Sequence, residues 1–168
     1  MNELCIADAT ALVAAMECVS HSVMADLFGE LTPRVADGQL VIPRSVVEDV
    51  EMMARNESIH HWIQGLSIKL SDSPYMEERV WLIRTLQQKF GYEDGVSDME
   101  GRDPSMLDVI ALGRRCDAEQ QSFCIISDDV VQSPLRPSVA QLCGAFGWER
   151  LNMHTYIERV LNRADLLR

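Results

Sequence analysis

Two short apolar segments, each followed by acidic residues, constrain the fold of this chain more than any other feature. Residues 3–7 (ELCIA) precede Asp8, and residues 122–127 (SFCIIS) precede Asp128 and Asp129. A short continuous apolar run is typical of a strand that is buried on both faces of a parallel sheet. Because ligands bind outside the carboxyl ends of the strands in such sheets, the acids predict a functional site at that edge.

Segments with helical character separate these strands, so strands and helices alternate along the chain. Two further short strands are predicted around residues 39–42 and 148–152. The predicted helices cover residues 10–27, a stretch from residue 45, and residues 105–116, 137–147 and 154–167. This alternation predicts an α/β fold, specifically a three-layer α/β/α sandwich around a mainly parallel sheet. With 168 residues, the chain suits a single domain, with a helical insertion at about residues 58–102. Within this region we expect a break in the helical stretch near residues 71–75, where Pro74 follows several turn formers, and an exposed loop over residues 90–104, which are rich in glycine and acids.

The charge balance disfavours polyanionic partners unless the charge is neutralised locally. The chain carries 26 acidic and 15 basic residues, a net charge of -11. Such a field repels nucleic acid over the whole surface. A divalent metal held by clustered carboxylates, together with nearby arginines, would make the electrostatic potential favourable to nucleic acid at one place.

Cysteine usage and the absence of long apolar runs predict where the protein works. The five cysteines form no CxxC pair, which is typical of reduced, buried thiols rather than a disulfide framework. No apolar run reaches the roughly 18 residues of a membrane span, and the first residues do not resemble a signal peptide. We expect a soluble, cytoplasmic protein.

Several phosphate-handling motifs are missing. The chain has no GxxxxGK[ST] and no GxGxxG after its first strand, which disfavours those nucleotide-binding classes. The sequence Asp8-Ala9-Thr10 lacks the second acid of the DxDx[TV] motif of haloacid-dehalogenase-type phosphatases. With these classes disfavoured, the remaining candidate site residues are carboxylates: Asp8, one of Glu48 and Asp49, Asp108, and one of Asp128 and Asp129. Such oxygen ligands suit Mg²⁺ or Mn²⁺, which activate water for phosphodiester hydrolysis.

Four motifs, in the same order along the chain, resemble those of the PIN domain, a family of small metal-dependent ribonucleases that includes the toxins of VapBC toxin–antitoxin pairs. They are IADATALV (6–13), IPRSVVEDV (42–50), DVIALGRR (108–115) and IISDDVV (125–131). The resemblance implies four catalytic acids, namely Asp8, Asp49, Asp108 and Asp129. It also gives supporting roles to Thr10 and Ser127, which follow the family pattern of a hydroxyl beside the acid.

The resemblance leaves three ligand positions open and implies partners. Glu48 is the alternative to Asp49, which stands where the family has Glu; Asp128 competes with Asp129, and Asp103 is a substitute for Asp108. Arg44, Arg114 and Arg115 lie near the acids in sequence and are candidates for holding the RNA backbone. An RNA substrate, a small antitoxin protein and a homodimer are the implied partners, and no membrane is involved.

Simpler roles compete with these assignments. Asp8 is also a favourable N-cap for the helix that follows it, and Glu48 and Asp49 also complement the dipole of a helix start. Asp128 and Asp129 suit an ordinary turn. The second hypothesis is a catalytically inactive PIN-like domain that binds a protein or RNA, and it is supported by Asp49 in place of the family's Glu and by the net charge of -11. A Mg²⁺-dependent phosphatase acting on a small substrate is a third alternative.

Overall fold

A parallel sheet forms the centre of the protein, as the sequence predicts. The computed structural model describes residues 3–66 and 76–168. Four parallel strands lie in the order β2-β1-β3-β4. Their bounds are β1 Leu4–Ala7, β2 Leu40–Val41, β3 Phe123–Ile126 and β4 Arg150–Leu151. The predicted α/β class is therefore confirmed.

The two central strands are the most deeply buried part of the sheet. In both β1 and β3 the last three residues are buried, and their side chains belong to the main hydrophobic core. Strands flanked on both sides have to be apolar throughout, because side chains on both faces are covered. This explains why LCIA and FCII read as continuous apolar runs rather than alternating ones.

Eight α-helices among the described residues flank the sheet, an arrangement compatible with three layers. They are α1 Ala9–Cys18, α2 Met24–Ala36, α3 Arg44–Met53, α4 Ser58–Gln64, α5 Met76–Lys89, α6 Met106–Ala118, α7 Val139–Phe146 and α8 Met153–Thr155. A π-helical turn over Tyr156–Val160 extends α8, and short 3₁₀ turns lie at His21–Val23 and Ala164–Leu166. Within the described ranges, no helix combines the length and apolar character needed to cross a membrane.

Two predicted helices are shorter than expected. The helix predicted over residues 10–27 is interrupted because Val19 is extended and forms an antiparallel bridge with Leu167. The closing helix predicted from residue 154 ends early, with Asn162 in the left-handed region at φ 53°. The first interruption depends on a contact between the start and the end of the chain, which local periodicity does not contain.

The predicted insertion at residues 58–102 contains α4, α5 and the loop that follows them. The expected break in the helical stretch near residues 71–75 lies outside the described residues. Residues 90–105 form neither helix nor strand, which confirms the predicted loop. The Ser97 amide donates to the Leu135 carbonyl at 3.2 Å, so this loop contacts the segment that leads into α7.

Helix α6 approaches the aromatic side chains beside β3 and β4 at a glycine. A Cβ atom at Gly113 would lie 2.9 Å from the Trp148 ring and 3.2 Å from the Phe123 ring. The two rings are in edge contact with centroids 5.4 Å apart, so neither can move freely. The close packing of α6 on the sheet therefore requires glycine.

We predict that Gly113→Ala destabilises the protein although alanine favours helix. Overpacking costs about 1–3 kcal/mol, against a gain of about 1 kcal/mol in helix propensity. The matched control is Gly144→Ala in α7, where a Cβ would meet nothing within 4 Å. Urea unfolding should show a loss for Gly113→Ala and no loss for Gly144→Ala. Equal effects of the two substitutions would contradict the packing argument.

Candidate functional site

Asp8 lies at the point where β1 ends and α1 begins, and it is almost completely buried. Its amide continues the sheet by donating to the Ile126 carbonyl at 3.0 Å. Its Oδ1 accepts the Ala11 amide at 2.9 Å and the Thr10 hydroxyl at 2.7 Å. Asp8 is therefore the N-cap of α1, and this capping role fixes the orientation of the carboxylate.

The end of β3 supplies the second contact to the Asp8 carboxylate. The Ser127 hydroxyl donates to Oδ2 of Asp8 and accepts the amide of Asp129. Thr10 accepts the Asp128 amide at 3.0 Å. The two hydroxyls named from the sequence thus connect the ends of neighbouring strands around Asp8.

Asp129 lies beside this network and is also largely buried. Its Oδ2 accepts the Arg136 guanidinium at 2.7 Å and the Val139 amide at 3.0 Å. The second bond satisfies one of the free amides at the start of α7. Oδ1 of Asp129 has no hydrogen-bond partner among the described residues, so this atom can accept a ligand.

Burial and a neighbouring charge perturb the ionisation of Asp8. Desolvation is the largest cause and raises the pKa of Asp8 to about 6; the negative charge of Asp129 adds to the rise. Hydrogen bonds from Ser127, Thr10 and Ala11 oppose it by stabilising the carboxylate. A cation placed between Asp8 and Asp129 would offset this repulsion and favour the ionised form of Asp8.

Asp8 and Asp129 line an open pocket of about 440 Å³ at the carboxyl edge of the sheet. Its acidic lining residues are Asp8, Asp49, Asp98, Glu100 and Asp129. Its arginines among the described residues are Arg102 and Arg136. Most of the remaining wall is apolar and includes Met52, Met53, Met99, Met106, Val131 and Leu135, and hydroxyls of Thr10, Ser97, Ser105 and Ser133 also line it. The pocket therefore offers oxygen ligands at its base and two guanidinium groups, with methionine side chains around them.

Three of the predicted acids are directed elsewhere. Asp108 accepts the Ser45 hydroxyl and the Arg79 guanidinium, and the same arginine pairs with the substitute candidate Asp103. Asp128 turns toward α8 and accepts the Met153 amide at 2.9 Å. Desolvation is the main cause that raises the pKa of Asp128.

Glu48 is an exposed residue of α3, whereas its neighbour Asp49 lines the pocket. Successive residues of a helix point about 100° apart, so only one of the two can face the sheet edge. Asp49 forms no hydrogen bond or ion pair with a described residue. By position, Asp49 rather than Glu48 is therefore the candidate ligand in the pocket.

The arginines named from the sequence do not line the described part of the pocket. Arg114 lies over the Trp81 ring at 4.5 Å, and Arg115 pairs with Glu78 at 3.1 Å. Both face α5. Arg44 is an exposed residue at the first position of α3.

Sequence reasoning missed Arg102 and Arg136, the two arginines that do line the pocket. Arg102 belongs to the glycine-rich loop, and its side chain pairs with Asp98 at 3.0 Å. Arg136 lies seven residues after Asp129, in a segment that contains Ser133, Pro134 and Pro137. The sequence feature closest to Arg136 that points to the pocket is the acidic end of β3, which precedes it.

The pocket has suitable metal-binding chemistry but no preformed cage. The described residues contain no group of three or more His, Cys, Asp or Glu side chains arranged to hold a metal ion. Mg²⁺ is commonly held by one or two carboxylates together with waters, so two converging acids are sufficient. Asp8 and Asp129 are the two buried acids of the pocket that would hold such an ion, with Asp49 as a further acid in the same pocket.

Comparison with known proteins does not assign a family. No family model matches the chain, and no curated protein sequence is significantly similar to it.

We predict that the contribution of Asp8 to the stability of the protein falls as the pH rises from about 4 through about 6. Because the pKa of Asp8 is higher in the folded state than in the unfolded chain, its stabilising contribution is complete below about pH 4. The contribution is lost as Asp8 ionises in the folded protein. A pKa difference of about 2 between the folded and unfolded states corresponds to a free energy on the order of 3 kcal/mol.

Asp8→Asn removes this dependence, since the amide does not ionise: its oxygen can still accept from Thr10 and Ala11, and its NH2 group can donate to the Ser127 hydroxyl oxygen. Urea unfolding in metal-free buffer, at about pH 4 and about pH 7, should show a smaller loss of stability for Asp8→Asn than for the wild type. Asp94→Asn, at an exposed loop carboxylate, is the control and should follow the wild type. Identical pH profiles for all three proteins would contradict the assignment.

Proposed function

We propose that the protein is a metal-dependent endoribonuclease that hydrolyses RNA phosphodiester bonds. One observation carries the proposal: Asp8 and Asp129, both largely buried, lie at the carboxyl ends of adjacent parallel strands and line the same pocket. Two buried carboxylates that repel each other are typical of a site that binds a divalent cation. The motif resemblance to PIN domains supports the same chemistry.

Mg²⁺ or Mn²⁺ bound at Asp8 and Asp129 would supply a water of lowered pKa and would stabilise negative charge on a phosphoryl oxygen. Ser127 and Thr10 hold the Asp8 carboxylate in one orientation. Asp49 offers an oxygen to accept a proton or to orient a water in the pocket. We expect a 5′-phosphate and a 3′-hydroxyl as products, following the family chemistry.

The arginines of the pocket support a substrate with phosphate groups. Arg102 and Arg136 line the same cavity as the acids, and a guanidinium binds phosphate through two parallel hydrogen bonds. Each arginine is paired with an acid of the pocket, Arg102 with Asp98 and Arg136 with Asp129, so a phosphate group would compete with a carboxylate for the guanidinium. A toxin of a VapBC-type pair, with a basic antitoxin segment as its inhibitor, is the biological role that we propose for this activity.

A specific observation also favours the second candidate, a catalytically inactive binding module. Arg136 neutralises Asp129, and Arg79 neutralises Asp108, at 2.7 and 2.6 Å. In each pair the guanidinium compensates the negative charge of the carboxylate, as a bound metal ion would. If these pairs persist, the fold is complete without a cation and the pocket serves to bind a partner.

The first test is a calorimetric titration of Mn²⁺ into the wild type, Asp8→Asn and the control Asp94→Asn at neutral pH. We expect the wild type and the control to bind Mn²⁺ alike. Asp8→Asn should lose more affinity than the roughly 10–100-fold typical of an outer-shell change. Cleavage of single-stranded and hairpin RNAs should require Mn²⁺ and Asp8 together. Mn²⁺ binding without cleavage would favour a metal-stabilised binding module; a wild type that binds no Mn²⁺ would exclude the proposed nuclease.

Arg136 provides a second test, because its charge competes with a cation for Asp129. We predict that Arg136→Gln strengthens Mn²⁺ binding by about fivefold, the equivalent of about 1 kcal/mol of relieved competition. Arg79→Gln is the matched control, since Arg79 pairs with Asp103 and Asp108 rather than with a pocket acid. Its Mn²⁺ affinity should stay at the wild-type value. Stronger binding in Arg79→Gln would show instead that Asp108 is a ligand.

A further inference from the structure

Two cysteines face each other on the central strands, at a place that the proposed nuclease does not use. Cys5 of β1 and Cys124 of β3 are registered partners in the parallel pair. Their sulfur atoms lie 3.2 Å apart, and both side chains are buried. Among the described residues, no other two thiols are in contact.

The backbone already has the separation that a disulfide needs. Neighbouring strands lie about 4.7–4.9 Å apart, and disulfides join Cα atoms separated by about 4.4–6.8 Å. Because registered residues of a parallel pair point to the same face, both sulfurs lie on one side of the sheet. The sulfurs need to approach by about 1.2 Å to reach the roughly 2.05 Å of an S–S bond.

The hydrogen bond between the two sulfurs also favours one of them as a nucleophile. The Cys124 thiol donates to the Cys5 sulfur, and this hydrogen bond lowers the pKa of Cys5 despite its burial. The same bond raises the pKa of Cys124, which keeps the shared proton on that sulfur. A thiol of lowered pKa with a second thiol beside it is the arrangement found in dithiol pairs that oxidise reversibly.

We propose that Cys5 and Cys124 form a reversible oxidation site that closes to an intrachain disulfide when the protein meets a peroxide. The Cys5 thiolate attacks one peroxide oxygen, the O–O bond breaks, and a sulfenic acid forms with release of one water after protonation. Cys124 then attacks the sulfenic sulfur, the S–S bond forms, the S–O bond breaks, and a second water leaves. Two thiols lose two electrons and two protons, and one hydrogen peroxide is reduced to two waters.

The position of the pair gives the disulfide a defined structural effect. Cys5 lies three residues before Asp8, and Cys124 lies three residues before Ser127. The new bond would connect the same two strands whose ends hold the Asp8 carboxylate. Oxidation therefore fixes the β1–β3 pair covalently, independently of whether the pocket binds a metal.

The test is treatment of the folded wild type with hydrogen peroxide, followed by alkylation in acid, proteolysis and mass spectrometry. We expect a linked pair of peptides containing Cys5 and Cys124, with the mass loss of two hydrogen atoms, that disappears after treatment with dithiothreitol. Cys143→Ser, at a buried cysteine outside the pair, should give the same linked pair. Cys124→Ala should give none and should leave Cys5 to alkylation or to further oxidation.

Two outcomes would overturn the proposal. One is oxidation of the half-buried Cys18 or of exposed methionines while Cys5 and Cys124 remain fully alkylated. The other is a linked pair that forms only after the protein is unfolded in urea. If Cys124→Ala fails to fold, the peptide map of the wild type decides the question, since it requires no variant.

Discussion

The pairing of β1 with β3 is the interaction on which the site depends. These strands are separated by more than a hundred residues, yet they are hydrogen-bonded neighbours in register from Leu4 with Phe123 to Ala7 with Ile126. Their parallel direction brings both carboxyl ends to one edge. Asp8 and Ser127 come into contact there because each residue follows the last residue of its strand.

The part of the site that follows directly from the strands was predictable from sequence. A buried apolar run ending in an acid fixes where the strand stops, and parallel topology fixes which strand ends meet. Asp8, Thr10, Ser127 and Asp129 therefore come together as expected. The choice between Asp128 and Asp129 was not predictable, because it depends on the start of α8, whose Met153 amide binds Asp128.

The rest of the site depends on contacts between segments that have no regular relation in sequence. Asp108 heads an apolar helix, as expected, but Arg79 of α5 pairs with it and removes the need for a metal partner. Arg102 and Arg136 reach the pocket from irregular loops, where local patterns carry little information about direction. The early end of the helix predicted over residues 10–27 has the same origin, since it depends on the bridge from Val19 to Leu167.

The capping bonds of the two central acids have an evolutionary consequence. Asp8 caps α1 and Asp129 binds the first amide of α7, so each carboxylate supports a helix whether or not the pocket performs chemistry. Natural selection for folding alone would preserve both residues in a descendant that had lost all activity. Asp49 forms no such capping bond with a described residue, and it lines the pocket. If the proposed activity is correct, the residue at this position in related chains therefore distinguishes active from inactive members better than the two acids at the strand ends do.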